Sequence, residues 1–588
     1  MHENRETSRT SRTNQERDRS AKVKNYEADA HALEESDCAV VPMNRPNKEE
    51  PSSAEAGEGR ARTKENIAQS NTSPTQSGER VSQGLNGVRQ VAKARKQERF
   101  TALLHHLSVD LLRDSFYALK RQAAPGVDGV TWEEYETGLE DRLVDLHGRV
   151  HRGAYRAQPS RRVYIPKADG RQRPLGVAAL EDKVVQQAVV TILNQIYEVD
   201  FRGFSYGFRP GRNPHQALDA LTVGIQTKRV NWILDADIRN FFDRISHEWT
   251  LQFVEHRVAD RRILGLIRKW MKAGVSEQGQ WSETTVGTPQ GSVASPLLAN
   301  IYLHYVFDLW VEAWRKKVAQ GDMIVVRYAD DLVVGFESRT DAERFLEQFR
   351  ERLAKFGLEL HADKTRLIEF GRNAARNRKQ RGEGKPETFA FLGFTHYCGK
   401  RRSDGSFIVW RETAKKRMEA KLHAIKAELI RQKHEPTALV GKWLRQVTLG
   451  YYQYHAVPGN LNRLGVFMHR LRRLWRTVLV RRSQRGQVAW QRHTPLLDRW
   501  IPFPRVLHPY PQQRFAANIR GKSRMRQSAR TVLCGGRPAM VVPTATFERR
   551  APNFAWGPLG AGKVRLTANR SARDPRRQGY LCAERPGT

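Results

Sequence analysis

The feature that most constrains this chain is a pair of apolar, strand-like runs that carry aspartates. The first run, Trp232–Leu234, leads into Asp235 and Asp237, which share one face if the run is a strand. The second, MIVVRYADDLVVGFE at 323–337, has β-branched residues on both sides of an Asp-Asp step, which predicts a hairpin. An isolated Asp-Asp pair is most often a solvated turn. Here the apolar flanks place the turn against a core.

Carboxylates contributed by two separate strands are typical ligands of divalent cations. Adjacent carboxylates repel each other unless a cation neutralises them, and a set of oxygen ligands suits Mg²⁺. Enzymes that transfer nucleotidyl groups hold two such ions, about 3.5 to 4 Å apart. The pattern favours a site of this kind, although the tetrapeptide YADD is by itself only moderately specific.

The positive charge of the chain is concentrated in its last third. The 588 residues include 101 Lys and Arg against 63 Asp and Glu, which gives a formal net charge of +38. From residue 396 onward, 40 basic residues stand against 9 acidic ones, a difference of +31. Charge that only confers solubility is usually mixed in sign, so this imbalance predicts a surface that binds a polyanion. It argues against an enzyme for neutral metabolites.

The rest of the composition excludes several other classes of protein. With 39% hydrophobic residues, the chain can bury a core and is not disordered throughout. Its four cysteines are far apart, which argues against a disulfide framework or a cysteine-type zinc site. No apolar run approaches the roughly 18 residues that a membrane helix needs, and the first residues are polar. We therefore expect a cytoplasmic protein with no membrane partner.

From about residue 100 to about residue 510, an ordered series of sequence blocks resembles bacterial group II intron reverse transcriptase/maturases. The blocks, in chain order, include APGVDGVTW (124–132), RRVYIPKADGRQRPLG (161–176), SYGFRPGRNPHQAL (205–218), DADIRNFFDRISH (235–247), GTPQGSVASPLLANIYLH (287–304), RYADDLVVGF (327–336), LHADKTRLIEFG (360–371) and FAFLGFTH (389–396). So many blocks in the right order make coincidence negligible. No cluster of Cys and His pairs resembles the HNH-type endonuclease that some members of the family carry.

This resemblance implies an α+β fold, in which a right-hand polymerase with palm and fingers is followed by a helical thumb/maturase domain. The implied segments are a helical fingers extension at 96–160, fingers and palm at 161–396, a thumb/maturase domain at 408–510 and a basic tail of unknown role at 511–588. Composition separately predicts that residues 1–95, which are polar and almost free of aromatic side chains, form a disordered extension. Apolar spacing predicts a helix over 99–120.

The resemblance also implies catalytic roles. Asp237, Asp330 and Asp331 match the aspartates that bind two Mg²⁺ ions in the family, and Asp235 is then a supporting acid. Phe242 matches a steric gate that clashes with a ribose 2′-hydroxyl, so the expected monomer is a deoxynucleotide.

Further positions match residues that bind the incoming nucleotide. Lys167 and Arg173 match basic residues that grip the triphosphate, where fixed cations neutralise charge as pyrophosphate leaves. Gln290 and Gly291 match the motif that lines the nucleotide pocket beside the template base. Lys364 either donates a proton or neutralises charge near the leaving group, or it is simply an exposed lysine.

The thumb/maturase blocks at 443–460 and 471–486 place arginines between apolar residues at helical spacing. The arginines that we expect to contact the RNA backbone are Arg472, Arg473, Arg476, Arg481 and Arg482. The same blocks contain aromatic residues that either stack on bases or, as the pattern favours, fill the helix core. These residues are Tyr451, Tyr452, Tyr454 and Trp475.

The implied function is an RNA-directed DNA polymerase that binds its group II intron RNA, assists its splicing and copies it into DNA. Its partners are then intron RNA, an RNA template with a DNA primer, target DNA and deoxynucleoside triphosphates. Two alternatives stay open. One is a non-catalytic splicing factor that keeps the fold to bind RNA, and the other is a related bacterial reverse transcriptase used in defence.

Overall fold

The computed structural model describes residues 76–166, 172–482 and 490–516. The disorder expected for residues 1–75 lies outside these ranges. For the end of that segment the prediction is wrong, because Gln76–Ala94 forms a helix. Leu85, Val88 and Ala92 recur at helical spacing and are buried in the main core. This sparse apolar face is stabilised by packing onto the rest of the protein, which composition alone does not reveal.

The N-terminal part of the described chain is helical. Its helices are α1 (Gln76–Ala94), α2 (Val109–Ala118), α3 (Trp132–Glu136) and α4 (Leu139–His151), with a short 3₁₀ turn at Leu104–His106. The helix predicted over 99–120 is therefore shorter than expected. The reason is local, since the Ser108 side chain accepts a hydrogen bond from the backbone N–H of Leu111 and caps the start of α2.

Two four-stranded sheets occupy the middle of the chain. Their strands are β1 (Ser160–Pro166), β2 (Gln172–Val177), β3 (Trp232–Ala236), β4 (Val275–Glu277), β5 (Gln280–Ser282), β6 (Met323–Tyr328), β7 (Asp331–Phe336) and β8 (Arg366–Glu369). The outer sheet has the strand order β2-β1-β4-β5, and the central sheet has the order β6-β7-β3-β8. All pairs in the central sheet are antiparallel. The predicted hairpin at 323–337 is confirmed as β6 and β7.

Both faces of the central sheet are covered. The covering and connecting helices are α5 (Leu180–Asp200), α6 (Pro214–Thr227), α7 (Phe241–Arg244), α8 (His247–Glu255), α9 (Arg261–Lys272), α10 (Ser295–Leu303), α11 (Leu309–Lys317), α12 (Arg339–Ala354) and α13 (Ala374–Gln380), with a π-helical turn at His304–Asp308 between α10 and α11. Alternate residues of β3 enter different cores: Leu234 joins the main core, and Ile233 joins a second core that includes α6. The candidate metal-binding carboxylates therefore stand at the end of a doubly covered sheet.

The C-terminal part combines a small sheet with a helical bundle. A three-stranded sheet of order β11-β10-β9 is formed by β9 (Phe389–Phe391), β10 (Phe394–Lys400) and β11 (Phe407–Thr413). The C-terminal helices are α14 (Lys415–Arg431), α15 (Thr437–His455), α16 (Leu461–Val480) and α17 (Trp490–Trp500). The helical region begins at 415 rather than at the expected 408, because β11 pairs with β10 along its whole length. Among the described residues, no helix combines the length and apolarity needed to cross a bilayer.

Candidate active site

The tip of the β6–β7 hairpin carries the Asp-Asp step. Tyr328 pairs with Asp331, so Ala329 and Asp330 form a two-residue loop. Ala329 has φ +55°, which two-residue hairpin loops require but which a residue with a Cβ adopts reluctantly. The tip therefore depends on surrounding contacts to keep this conformation.

A fully buried arginine supplies one of these contacts. The Nη1 of Arg327 donates to the carbonyl oxygen of Ala329 over 3.0 Å. Its Nε and Nη2 donate to the two carboxylate oxygens of Asp308, over 2.8 and 2.6 Å. Burial alone would raise the pKa of Asp308, but the facing guanidinium, together with His304, holds it below its usual value. The buried Arg327–Asp308 ion pair thus anchors the tip.

The same arginine connects the tip to a neighbouring loop. Arg327 also donates to the Oδ1 of Asn300 over 3.0 Å, and the Nδ2 of Asn300 donates to the carbonyl oxygen of Gly207 over 2.8 Å. A Cβ on Gly207 would lie 2.2 Å from the backbone nitrogen of Ala329, so only glycine permits this approach. Sequence reasoning missed Arg327, Asn300 and Asp308 as positioning residues. The available signal was that each is a polar residue inside an otherwise apolar run.

Asp237 lies immediately beyond the end of β3. Since Ala236 pairs with Leu332, continuing the register by one step places Asp237 opposite Asp331. The backbone N–H of His361 donates to the carbonyl oxygen of Asp237 over 2.8 Å. The Nζ of Lys364 lies 3.2 Å from the Oδ2 of Asp237, and its side chain is only 10% exposed. The interpretation of Lys364 as an exposed lysine is therefore wrong.

The carboxylates at this end of the sheet influence one another electrostatically. Burial, followed by the negative charge of Asp237, raises the pKa of Asp330 to about 6. Burial raises the pKa of Asp235 to about 7, with a further contribution from Asp237, although Arg366 at 3.8 Å opposes it. Negative charge is therefore crowded here, and a bound cation relieves such crowding.

The aspartate carboxylates fit a divalent cation that prefers oxygen ligands, but by themselves they do not complete its coordination shell. Within residues 76–166, 172–482 and 490–516, no three His, Cys, Asp or Glu side chains form a group able to hold a metal ion. Magnesium is commonly held by one or two carboxylates, with water and substrate phosphates completing the shell. Asp237 and Asp330 suit such an incomplete site, since the charge of Asp237 contributes to the raised pKa of Asp330, and Asp331 begins the adjoining strand.

Arg173 and Gln290 meet beside this carboxylate cluster. The Nε of Arg173 donates to the Oε1 of Gln290 over 2.8 Å, and the backbone N–H of Gly176 donates to the carbonyl oxygen of Gln290 over 2.7 Å. The positive charge of Arg173 partly offsets the rise in the pKa of Asp330, so the two groups are near each other. Lys167, which was predicted to accompany Arg173, lies outside the described residues.

Phe242 and Gly291 belong to the same part of the structure as Arg173 and Gln290, which we call the nucleotide corner. The backbone N–H of Thr288 donates to the carbonyl oxygen of Phe242 over 2.9 Å, and the half-buried Phe242 ring meets Phe208 edge to face at 6.4 Å. Gly291 has φ +110°, and a Cβ there would lie 2.9 Å from the carbonyl oxygen of Gly176. The loop carrying GTPQG is therefore joined to both β2 and the segment that carries Phe242.

The five arginines predicted to contact RNA have different surroundings. Arg473 and Arg481 are exposed, and Arg476 is half-buried. Arg472 is 13% exposed, forms an ion pair with Asp498 and lies over the ring of Phe503. The Nη1 of Arg482 donates to the Thr437 hydroxyl over 3.1 Å. These contacts give Arg472 a structural role that the sequence did not indicate, and they leave Arg473 and Arg481 as the most accessible of the five.

The aromatic residues of this region fill the core, as the helical pattern favoured. Tyr451, Tyr452, Tyr454 and Trp475 are between 0 and 8% exposed. The Tyr451 ring stacks on Phe467 at 3.9 Å. These four side chains are therefore not accessible to bases.

Comparison with known proteins decides the family. Residues 165–396 match the family model described as reverse transcriptase (RNA-dependent DNA polymerase). Protein YkfC of Escherichia coli is 33% identical over 298 residues, which cover 44% of this chain and 78% of that protein. The chain belongs to the reverse transcriptase family. The segment that matches the family model contains Asp235, Asp237, Asp330 and Asp331. Reverse transcriptases generally use divalent metal ions.

Relatives of this reverse transcriptase include intron proteins. Group II intron-encoded protein LtrA of Lactococcus lactis is 36% identical over 209 residues, which cover 35% of each chain. Nuclear intron maturase 1 of Arabidopsis thaliana is 33% identical over 92 residues, which cover 16% of this chain and 13% of that protein. These matches confirm the resemblance to group II intron reverse transcriptase/maturases. The reverse transcriptase thus matches about a third of LtrA and a smaller share of the maturase.

Proposed function

We propose that this protein is an RNA-directed DNA polymerase that acts on group II intron RNA, assists its splicing and copies it for insertion into DNA. The observation that carries the proposal is the convergence of Asp237, Asp330, Arg173 and Gln290 at one end of the central sheet. In this proposal the central sheet is the palm, the outer sheet belongs to the fingers, and the C-terminal helices form the thumb/maturase domain.

Asp237, Asp330 and Asp331 are the residues that would hold two Mg²⁺ ions. The ions, when bound, lower the pKa of the primer 3′-hydroxyl and stabilise charge on the departing pyrophosphate. The chain's own groups orient this chemistry. Arg327 keeps the hairpin tip in place, and Lys364, 3.2 Å from Asp237, adds a fixed positive charge at the carboxylate that is closest to β3.

The deoxynucleoside triphosphate occupies the nucleotide corner formed by Arg173, Phe242, Gln290 and Gly291, with Lys167 also contacting phosphate. Arg173 suits the triphosphate because its guanidinium is already held by Gln290 and therefore loses little freedom on binding. The Phe242 ring excludes a 2′-hydroxyl by its bulk, so deoxynucleotides are preferred to ribonucleotides.

Intron RNA binds mainly to the basic C-terminal third. One relative is named as a group II intron-encoded protein and another as an intron maturase, which favours intron RNA as the partner of this chain. The +31 charge of residues 396–588 supports a polyanion partner. Arg473 and Arg481, which are exposed on and just beyond α16, are suited to phosphate contact, and target DNA is the second polyanion expected.

Primer extension on an RNA template tests the proposal. Wild-type protein with Mg²⁺ should extend a DNA primer with deoxynucleotides, and Asp330→Asn should lower the rate by at least about a thousandfold, because charge stabilisation at a reacting phosphate is worth several kcal/mol. Asp141→Asn, which removes an exposed carboxylate from α4, is the matched control and should extend normally. Binding of intron RNA should be nearly unchanged in both variants.

The alternative functions give different results. Absence of DNA synthesis by a wild-type protein that still promotes intron splicing would establish a splicing factor without polymerase activity. Full DNA synthesis with no effect on intron splicing and no preference for intron RNA would instead support a reverse transcriptase with another biological role. Full activity of Asp330→Asn would refute the assignment of the site.

A further inference from the structure

The outer sheet carries a second concave surface, which none of the candidate active-site residues lines. A cavity of about 640 Å³ lies between α9, the β4–β5 hairpin and the loop before β1. Its polar and aromatic lining residues are Arg156, Arg268, Lys269, Lys272 and Trp281. We refer to it as the α9 cavity.

The positive side of the α9 cavity is one face of a helix. Gly265, Arg268, Lys269 and Lys272 follow the spacing i, i+3, i+4 and i+7, so they line a single face of α9. Lys269 already has hydrogen-bond partners, since its Nζ donates to the backbone carbonyl oxygens of Tyr155 and Gly153. Arg268 and Lys272 are exposed and lie one turn apart.

These cations face solvent without acidic partners. Within residues 76–166, 172–482 and 490–516, no ion pair or hydrogen bond is found for the side chains of Arg156, Arg268 or Lys272. The carboxylate of Glu277, on neighbouring β4, accepts a hydrogen bond from the Tyr164 hydroxyl over 2.8 Å. The cavity therefore presents a concentrated positive charge, which attracts an anion with more than one negative group.

The opposite wall is an aromatic ring held in a fixed position. Trp281 is 58% exposed, which is unusual for so large an apolar side chain. Its indole Nε1 donates to the carbonyl oxygen of Ala273 over 3.0 Å. A Cβ on Gly274 would lie 2.5 Å from the same nitrogen, so the ring rests directly against the glycine backbone. A rigid, exposed indole loses little freedom when a flat ligand stacks on it.

An exposed aromatic ring beside several unpaired cations is the arrangement that binds unpaired nucleotides. Bases stack on the ring irrespective of sequence, and the cations neutralise the backbone phosphates. We infer that the α9 cavity binds a single-stranded segment of nucleic acid, with a base on Trp281 and phosphates at Arg268 and Lys272. RNA and DNA share this chemistry.

The α9 cavity is separated from the proposed nucleotide pocket. Arg173 lies on β2 and Trp281 on β5, at opposite edges of the outer sheet in the order β2-β1-β4-β5. Three strand spacings separate these edges, or about 14 Å. The site is thus additional to the proposed polymerase cleft, and binding at it requires no DNA synthesis.

Photocross-linking of the full chain tests this inference. Short single-stranded oligonucleotides containing 5-bromouridine or 5-bromodeoxyuridine are irradiated with the protein, and cross-linked peptides are identified by mass spectrometry. We expect a cross-linked peptide that contains Trp281. Comparison of the RNA and DNA arms shows which strand binds better, and a fully paired duplex should cross-link at this peptide at least about tenfold less, because its bases cannot stack on a protein ring.

Two kinds of variant separate the site from general charge effects. Gly265→Leu fills the cavity from α9, where a Cβ meets no atom within 4 Å, so the helix is expected to tolerate it. It should abolish the Trp281 cross-link without changing net charge, whereas Gly87→Leu in α1, also in open space, should leave the cross-link intact. Arg268→Gln with Lys272→Gln should weaken the cross-link about tenfold. Arg315→Gln with Lys317→Gln in α11 removes equal charge and should not affect it.

The result that overturns the inference is equally specific. If no peptide from the α9 cavity cross-links with either oligonucleotide, or if the cross-link survives in Gly265→Leu, the cavity is not a single-strand site. Because these measurements need neither primer nor deoxynucleotides, failure of primer extension leaves them interpretable, and their failure leaves the polymerase proposal intact.

Discussion

The central sheet and the C-terminal helices differ in where their charged side chains lie. Beside the central sheet, charged groups are buried in pairs: Arg327 and Asp308 are fully buried, and Arg411 and Asp219 are 3 and 2% exposed. Among α14 to α17, a cluster of buried aliphatic and aromatic side chains forms a core, and exposed arginines such as Arg473 lie outside it. A buried ion pair fixes the position of a group, and an exposed cation remains available to a polyanion.

The largest expected effect concerns the buried pair behind the hairpin tip. Arg327→Met leaves the fully buried Asp308 without its guanidinium partner, which should cost about 3 to 5 kcal/mol of unfolding free energy. DNA synthesis should fall at least about a hundredfold, since the carbonyl of Ala329 also loses its donor. Urea unfolding and primer extension measure the two effects.

A double variant distinguishes positioning from stability. Arg327→Met with Asp308→Leu removes both charges, and replacement of a whole buried pair by apolar residues is often neutral for stability. We expect stability to recover while DNA synthesis stays low, because the tip is still not tethered. Recovery of full synthesis would show that Arg327 acts only through stability.

The next largest effect lies in the C-terminal helices. Trp475 is fully buried in their apolar core, so Trp475→Ala should lower the unfolding free energy by about 3 to 5 kcal/mol. Leu449→Ala, at a 40% exposed position of α15, is the matched control and should cost under about 1 kcal/mol. Equal losses in the two variants would mean that this region does not have the dense core described above.

The loss of unfolding free energy at low pH should come from regions that bury polar groups. His396, fully buried in β10, has its pKa lowered to about 3 by burial and, secondarily, by Arg411. The unfolded chain therefore takes up a proton first, and stability is lost as the pH falls below about 6.5. His396→Phe removes this linkage. When the pH falls from 7.5 to 5, the variant should therefore lose about 2 kcal/mol less unfolding free energy than the wild type loses.

Thermal unfolding across this pH range measures the difference. The exposed His423 in α14 provides the control, since His423→Phe should leave the pH dependence as it is in the wild type. An unchanged slope in His396→Phe would mean that the ring at 396 takes up a proton as readily in the folded protein as in the unfolded chain.

The smallest effect is expected at the exposed arginines. Arg473→Gln with Arg481→Gln should weaken binding of intron RNA and reduce the slope of log affinity against log salt by about 1.4, if each arginine neutralises one phosphate of a single strand. Arg315→Gln with Lys317→Gln, on α11, should leave the slope unchanged. A slope that stays constant in the first variant would assign RNA binding to another surface.

Sequence patterns predicted the hairpin, the strand before Asp237 and the buried aromatic residues of α15 and α16, because local periodicity encodes each of them. They did not predict α1, whose few apolar residues form a helix only against the rest of the core. For a related reason, the sequence predicted that the helical region begins at 408, although it begins at 415. β11 ends with three consecutive polar residues, Arg411, Glu412 and Thr413, and is stabilised by pairing with β10, which is a tertiary contact.

The sequence by itself determined the family and the kinds of side chain available for chemistry, because ordered motifs record them directly. Only the tertiary structure decided which of these groups meet. It placed Lys364 against Asp237, committed Arg472 to Asp498, and set Arg327 behind the hairpin tip. Such contacts depend on how the helices and strands pack together, and no local pattern specifies that packing.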